Sequence, residues 1–181
     1  GAGKNHLARV IAAHRRWLEL KDTSETLGIE AGLEAYTDRF AEIHLPALPD
    51  QLVESELFGH RRGAFTGADR DRFGLLDGEG RDAEIKDILL DEIGDVSPAM
   101  QAKLLAVVDT RKFRPLGASI DDERETSARF IFATNTDLVA RSKSKAFRED
   151  LLWRLRQFHV VAPALREQPE NIEAITRQLE A

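Results

Sequence analysis

Residue types suited to binding a phosphate stand together at positions 1–5 of the 181-residue chain, which begins Gly1-Ala2-Gly3-Lys4-Asn5 and continues into a segment with helical periodicity. Glycines let backbone N–H groups turn toward an anion, a lysine can contact the outer phosphates of a nucleotide, and a helix N-terminus favours negative charge. These residues fit the last part of a phosphate-binding loop, with Asn5 where many such loops carry Ser or Thr. Taken alone, they fit an ordinary helix start equally well.

A pair of carboxylates, Asp91 and Glu92, follows the apolar run Ile88-Leu89-Leu90, which is typical of a buried strand. In open α/β sheets, ligands bind at the carboxyl ends of the strands. One carboxylate there can hold Mg²⁺ through water, and the other can polarise an attacking water molecule. The alternative is a strand that ends in two solvated acids. The glycine-lysine segment and the acidic pair stand in the chain order that a nucleotide hydrolase requires, and together they favour a nucleotide site.

A third feature is a hexapeptide loop with an aromatic ring and a hydroxyl at its tip. The hexapeptide consists of Gly63, Ala64, Phe65, Thr66, Gly67 and Ala68. Its glycines suit a mobile, hairpin-like turn, and an exposed Phe65 is costly unless a partner surface covers it. A turn with Phe65 tucked into the core explains the same residues, so physical reasoning leaves both interpretations open.

The elements that must position these residues alternate between helices and strands. Apolar spacing predicts helices over 6–20, 50–58, 98–108 and 147–155 and after Pro169, and strands over 40–44, 88–90, 129–134 and 158–161. In the first helix the recurring apolar residues are Leu7, Val10, Ile11, Trp17 and Leu18. Asp50 and Ser97 are plausible N-caps, and residues 22–34 fit a loop or a short helix. This alternation predicts a mostly parallel sheet covered on both faces.

Composition excludes several classes of protein. Apolar residues at 42% and charged residues at 32% are typical of a globular domain, and the length fits one domain. The absence of Cys excludes a disulfide framework, a thiolate metal site and a cysteine nucleophile. A net charge of −6 argues against a general nucleic-acid-binding module. Because no apolar run approaches the ~18 residues of a membrane span, we expect no membrane contact and a cytoplasmic location.

The chain closely resembles the central domain of bacterial enhancer-binding proteins, the sigma-54-dependent transcription activators of the AAA+ class. The matching motifs are the hexapeptide and segments 54–60, 89–95, 101–105, 133–135, 147–155 and 165–167. They cover nearly the whole chain, and the hexapeptide is highly specific to the family. The resemblance implies an α/β AAA+ P-loop NTPase core over 1–166, with the first strand missing and a helical lid only begun at 167–181.

The resemblance also assigns roles to single residues. Gly1, Gly3, Lys4 and Asn5 match the phosphate loop that binds ATP. Asp91 matches the residue that coordinates Mg²⁺, Glu92 the residue that activates water, and Asn135 the sensor of the γ-phosphate.

Two arginines, Arg148 and Arg154, match residues that reach into the ATP of a neighbouring subunit, which implies a ring, expected to be a hexamer. An arginine in trans can stabilise charge on the transferred phosphoryl group. A surface pair between Asp150 and Arg154, four residues apart, would explain Arg154 without any such function. Within one helix the two arginines would lie about 120° apart and would do different jobs.

The sequence departs from the family at three places. Asn5 stands where the family usually has an acidic residue. His44 aligns with an Asn thought to hold the catalytic Glu in check. Its imidazole could hydrogen-bond a carboxylate in a pH-dependent way, or it could be a strand-end histidine without a role. Between Asp77 and Asp87 the chain is longer and more polar than the family, which predicts an enlarged loop.

The resemblance implies that ATP hydrolysis in a ring moves the hexapeptide against sigma-54 and remodels its closed complex with RNA polymerase. DNA contact would use a domain outside this chain, and we expect the 181 residues alone to bind ATP weakly. Asn5 and His44 leave open a degenerate, non-hydrolysing nucleotide-binding module. A third alternative is an AAA+ motor with another client, such as a helicase loader, against which the intact hexapeptide argues.

Overall fold

A three-stranded parallel sheet forms the centre of the fold in a computed structural model that describes residues 3–21, 39–77, 85–163 and 167. The strands are β1 (Phe40–His44), β2 (Asp87–Asp91) and, later in the chain, β5 (Arg129–Ala133), in the order β1-β2-β5. The register aligns the ends of the strands, with His44 opposite Asp91 and Asp91 opposite Ala133. Three of the four strands expected from the sequence are therefore confirmed to within one residue at each end.

Five helices and a short hairpin surround this sheet in the described part of the chain. The helices are α1 (Lys4–Lys21), α2 (Asp50–Phe58), α3 (Pro98–Thr110), α4 (Leu138–Lys143) and α5 (Glu149–Leu155). The hairpin pairs β3 (Lys112–Phe113) with β4 (Arg124–Glu125) in antiparallel fashion, and single 3-10 turns span Leu45–Ala47 and Ile93–Asp95. Helices therefore alternate with parallel strands, as the sequence pattern predicts.

The main core lies on one face of the sheet. All five residues of β2 are buried, and Ile88 and Leu90 pack in one cluster with Leu57 of α2 and with Met100 and Leu104 of α3. On the opposite face, two alanines of α1 pack against strand side chains. Helices thus cover both faces, which explains why the middle of β2, Ile88–Leu90, is continuously apolar instead of alternating.

The buried face of α1 differs from the expected one. Val10, Ile11 and Leu18 are each almost half exposed, whereas Ala12 and Ala13 are buried against Phe40 and Ile131. Small side chains allow the helix axis to approach the sheet closely, so α1 packs through its alanines, and Val10, Ile11 and Leu18 remain on the outside.

The predicted helix caps have different outcomes. Ser97 is the N-cap of α3, and its hydroxyl accepts a hydrogen bond from the Met100 backbone N–H at 3.2 Å, as expected. Asp50 is wrong as an N-cap, because Pro49 occupies that position and Asp50 is the first helical residue. There its carboxylate lies near the positive end of the helix dipole, which stabilises the helix without a capping bond.

The strand predicted over 158–161 is wrong. These residues have no strand assignment, and the side chains of Phe158, Val160 and Val161 are 95%, 67% and 73% exposed. A strand exists only where a neighbouring strand accepts its hydrogen bonds, and no described strand lies beside this segment.

Several expectations lie outside the described residues. They concern the polar segment 22–34, most of the enlarged loop after Asp77, the helix after Pro169 and nearly all of the lid at 167–181. Within the part that the structure describes, no helix is both long enough and apolar enough to cross a bilayer.

Candidate functional site

Most of the predicted nucleotide-site residues meet where the carboxyl ends of the parallel strands reach the start of α1. His44 ends β1 and Asp91 ends β2, while Asn135 follows the end of β5 by two residues. Lys4 is the first residue of α1, and its ammonium nitrogen lies 3.5 Å from a carboxylate oxygen of Glu92. Residues separated by up to 131 positions are therefore brought to one edge of the sheet.

The backbone turns sharply at Glu92, immediately after β2. Glu92 has φ 59° and ψ 48°, a left-handed conformation that is uncommon for residues other than glycine. Its Oε2 accepts a hydrogen bond from the Asn135 backbone N–H at 2.8 Å, and its Oε1 accepts one from the Asn135 side-chain amide. With Lys4 beside Oε1, the carboxylate is held from two sides, and its side chain is only 13% exposed.

Asp91 is held by a different set of groups. Its Oδ2 accepts a hydrogen bond from the Asn5 side-chain amide at 3.3 Å and lies 3.2 Å from Nδ1 of His44. Its Oδ1 accepts a bond from the Glu92 backbone N–H at 3.1 Å. The position of His44 at the end of the neighbouring strand explains this contact.

His44 does contact a carboxylate, the first of the two alternatives that the sequence left open. That carboxylate is Asp91, whereas Asn135 bonds Glu92. The left-handed backbone at Glu92 turns its side chain toward Asn135, whereas Asp91 lies opposite His44 in the sheet register. The other alternative, a strand-end histidine without a contact, is therefore wrong.

Glu42 is a site residue that the sequence analysis missed. Its Oε1 lies 2.5 Å from the Asn5 side-chain nitrogen, and its Oε2 lies 2.8 Å from a guanidinium nitrogen of Arg9. The sequence does carry a signal for Glu42: side chains alternate along a strand, so residues 40, 42 and 44 share one face of β1. The Asn5 amide thus donates to both Glu42 and Asp91.

The residues present fit a nucleotide phosphate and Mg²⁺. Gly3 has φ 68°, a conformation that favours glycine, and it directly precedes α1. The first turn of α1 carries no acidic residue to repel an anion, and Lys4 supplies a cation. The carboxylate oxygens of Asp91 are the hard donors that Mg²⁺ prefers, and Oδ1, which accepts one bond from the Glu92 backbone, can accept a further contact. Gly1 lies outside the described residues.

The hexapeptide lies in the connection between α2 and β2. Gly63 and Gly67 have φ 78° and 96°, which favour glycine at both positions. Internal bonds close the turn, with Gly63 N–H donating to the Ala68 carbonyl at 2.8 Å and Ala68 N–H to the Phe65 carbonyl at 3.0 Å. Thr66 is exposed, whereas Phe65 is half-buried. The Phe65 ring packs on the ring of His60 and not in the main core.

Among the described residues, neither Arg148 nor Arg154 pairs with the site carboxylates Asp91 and Glu92, and each pairs with another carboxylate instead. Arg148 is the N-cap of α5, outside the helix, so the angle expected for two arginines within one helix does not apply. Its guanidinium donates two hydrogen bonds to Asp150, of 3.0 and 2.7 Å. These bonds lower the pKa of the Asp150 carboxyl. Arg154 lies 2.6 Å from Asp109, so the surface pair that would explain Arg154 without a function is formed with Asp109 and not with Asp150.

Gln101 is a second residue whose function the sequence analysis missed, although its motif was noted. It is 1% exposed, accepts a bond from the Arg148 backbone N–H at 2.8 Å, and donates to the carbonyls of Val96 and Ala146. A buried amide with three satisfied bonds fixes the start of α5 against α3, and thereby fixes where Arg148 emerges.

Comparisons with known proteins agree with this architecture. The family model described as the sigma-54 interaction domain matches residues 1–161. The hydrogenase transcriptional regulatory protein HoxA of Bradyrhizobium diazoefficiens is 50% identical over 132 residues, which are 71% of this chain and 25% of that protein. The transcriptional regulatory protein GlrR of Escherichia coli is 46% identical over 140 residues, 77% of this chain and 30% of that protein.

Among solved structures, NtrX from Brucella abortus in complex with ATP matches with a TM-score of 0.67 and 25% identity, over 98% of this chain and 34% of that one. The expected α/β AAA+ fold is confirmed. The chain spans between a quarter and a third of the length of these relatives. With the family model covering residues 1–161, the chain belongs to the family of sigma-54 interaction domains of bacterial transcription activators.

Proposed function

We propose that this chain binds ATP with Mg²⁺ and hydrolyses the ATP, and that a ring of copies uses the reaction to move the hexapeptide against sigma-54. The observation that carries the proposal is the position of the Glu92 carboxylate, held between Lys4 and Asn135 at the sheet edge. Membership in the sigma-54 interaction family supports the client. In this proposal residues 1–166 form the nucleotide-binding core, residues 167–181 begin a lid, and DNA is contacted by another domain.

The binding step uses the residues at the start of α1. Backbone N–H groups at the start of α1, with Gly1 and Gly3 before it, would turn toward the phosphates, and the Lys4 ammonium would contact their oxygens. Asp91, supported by Asn5 and His44, would hold Mg²⁺. When bound, Mg²⁺ neutralises charge that develops on the phosphate oxygens during transfer.

The hydrolysis step assigns the base to Glu92. A water oxygen attacks the γ-phosphorus, its proton passes to the Glu92 carboxylate, and the bond to the bridging oxygen breaks, which leaves ADP and inorganic phosphate. The Lys4–Glu92 contact of 3.5 Å is longer than a strong ion pair, so Lys4 can exchange Glu92 for phosphate at little cost. Asn135 then remains to orient the carboxylate, and it would sense the γ-phosphate through this contact.

Arg148 and Arg154 would act on the nucleotide of the neighbouring copy. Both are about half exposed, and in this chain each is paired with a carboxylate, Asp150 or Asp109. Exposed ion pairs contribute ~0–1 kcal/mol, so each arginine can leave its partner for the more concentrated charge of a phosphate. The ring, expected to be a hexamer, is therefore part of the active site.

The client of the motor would be sigma-54 in its complex with RNA polymerase, which places the activity in the cytoplasm. The hexapeptide has no acid, base or phosphate-binding cation of its own. It offers an apolar ring at Phe65 and an exposed hydroxyl at Thr66, which suit contact with a protein surface.

Two variants of the natural protein test the two halves of the proposal. Glu92→Gln keeps the shape of the side chain but loses the base, so it should bind ATP and release no phosphate. Thr66→Ala should hydrolyse ATP within a few-fold of the parent rate, yet fail to retain sigma-54 in the presence of a transition-state analogue and fail to open promoter DNA. Parent turnover in Glu92→Gln would remove Glu92 as the base, and normal promoter activation by Thr66→Ala would remove the client.

A second candidate function is a nucleotide-binding module that does not hydrolyse ATP. The observation that favours it is the pair of contacts to one oxygen of Asp91 from Asn5 and His44, which restricts that oxygen's access to a metal ion. The rate of the parent protein separates the candidates, because a regulatory module would bind ATP and assemble without releasing phosphate.

A further inference from the structure

The connection that carries the hexapeptide is closed at its base by backbone hydrogen bonds of His60. The His60 N–H donates to the Arg72 carbonyl at 2.9 Å, and the Arg72 N–H donates back to the His60 carbonyl at 2.8 Å. The neighbouring Arg61 N–H donates to the Leu116 carbonyl at 2.9 Å. We call these two bridges the neck. Residues 61–71, including the hexapeptide, form a loop that leaves and returns at this neck.

The side chain of His60 is buried and held in one orientation. It is 8% exposed, and its Nδ1 lies 2.7 Å from the hydroxyl oxygen of Ser55, which is 2% exposed. Ser55 belongs to the last turn of α2, where its carbonyl also accepts the Gly59 N–H at 3.0 Å. The ring is thus fixed by a rigid helix end and not by the loop itself.

Phe65 packs on this ring. The two ring centroids are 5.0 Å apart with an interplanar angle of 67°, within the range favoured by edge-to-face aromatic pairs. The contact folds the tip of the loop back over its own neck. Thr66, the next residue, remains exposed.

We propose that His60 is a positioning residue for the hexapeptide: its ring, oriented by Ser55, is the platform on which Phe65 docks. Undocking Phe65 from His60 is then the step that makes the aromatic ring available to a partner surface. The functional meaning of this step rests on the proposed function, in which the hexapeptide contacts sigma-54. The docking itself is a property of this chain alone.

The neck is fixed by groups other than the His60 side chain. The Arg61 guanidinium bonds Asp71 at 2.7 Å and Asp122 at 2.8 Å, which ties both ends of the loop to the connection between β3 and β4. Gly59 and Gly74 approach so closely that a Cβ on Gly59 would lie 2.7 Å from the Gly74 nitrogen. Removing the His60 ring should therefore release Phe65 and leave the neck in place.

Hydrogen exchange on the chain without nucleotide or sigma-54 tests the docking. In His60→Ala, the amides of Gly63 and Ala68, which donate inside the loop, should exchange about two- to tenfold faster. Loss of one aromatic pair raises the population of the opened loop by about this factor. Phe65→Leu should give a similar acceleration, and the double variant little more than either. The neck amides of Arg61 and Arg72 should keep their protection.

Two further variants separate positioning from a general structural role. His60→Phe keeps an aromatic platform and should restore slow exchange at Gly63 and Ala68. Arg70→Ala, an exposed change in the same loop, should match the parent. If His60→Ala does not fold, the comparison of Ser55→Ala with the parent carries the test, with an acceleration at Gly63 and Ala68 alone expected.

Unchanged exchange at Gly63 and Ala68, or equal acceleration at the neck amides, would overturn the proposal. Because no sigma-54 is present, these outcomes are independent of the client. The exchange data can confirm docking while the parent, His60→Ala and Phe65→Leu all bind sigma-54 equally well. In that case the proposed client contact fails and the docking of Phe65 on His60 stands.

Discussion

Replacing Asn135 with alanine should slow ATP hydrolysis with little change in ATP binding. Asn135 makes two hydrogen bonds to Glu92, a 2.8 Å bond from its backbone and a second from its side-chain amide. The substitution removes only the second. A hydrogen bond to a charged group contributes about 1.5–3 kcal/mol, and each 1.4 kcal/mol lost in the transition state is tenfold in rate. We therefore expect kcat to fall by about 10- to 100-fold.

The assay is steady-state phosphate release by the natural protein, with ATP affinity measured separately by titration. Affinity should stay within about threefold, because Lys4 and the start of α1 are unchanged. Asn135→Asp is the matched variant: it keeps the size of the side chain but places a carboxylate against Glu92, so it should lower kcat further. An unchanged kcat in Asn135→Ala, or a loss of ATP affinity as large as the loss of rate, would refute the orienting role of Asn135.

Two other substitutions probe the binding step and the sheet. Lys4→Ala should reduce ATP affinity at least 100-fold in an equilibrium titration, since the phosphates lose the lysine of the loop, and parent affinity would rule out the phosphate loop. Asp87→Ala should lower the free energy of unfolding by about 3 kcal/mol in urea, because its buried carboxylate makes two 2.7 Å bonds to Arg129 across β2 and β5. Asp150→Ala, which removes an exposed pair, is the control and should cost at most ~1 kcal/mol, so equal losses would contradict this reasoning.

Local patterns were enough to locate the strands and helices that build the site. The apolar run ending in Asp91 predicts β2 and the edge at which its acids lie, because a buried parallel strand needs apolar residues on both faces. Ser97 followed by proline predicts the start of α3, since the cap and the fixed proline φ act within a few residues. These features depend on near neighbours in the chain.

Features that depend on distant or unusual contacts were missed. The strand expected over 158–161 required a neighbouring strand, which the segment's own apolar residues cannot supply. The pairing of His44 with Asp91 follows from the register of β1 with β2 and from the left-handed backbone at Glu92, and glutamate carries no sequence signal for that conformation. The docking of Phe65 on His60 depends on how a loop folds back on its base. The expected roles of the site residues remain predictions.

The contacts around Asn5 give a physical reason for its departure from the acidic residue usual in the family. The Asn5 amide nitrogen lies 2.5 Å from Glu42 and 3.3 Å from Asp91, so it stands between two carboxylates and donates to both. A carboxylate at position 5 would put a third negative charge within hydrogen-bond distance of the other two, although Arg9 pairs with Glu42. A neutral donor at position 5 is therefore the residue type that fits a chain with Glu42 in β1. The contacts of Asn5 with Glu42 and Asp91 thus account for a neutral residue at this position and argue against reading Asn5 alone as a sign of a degenerate site.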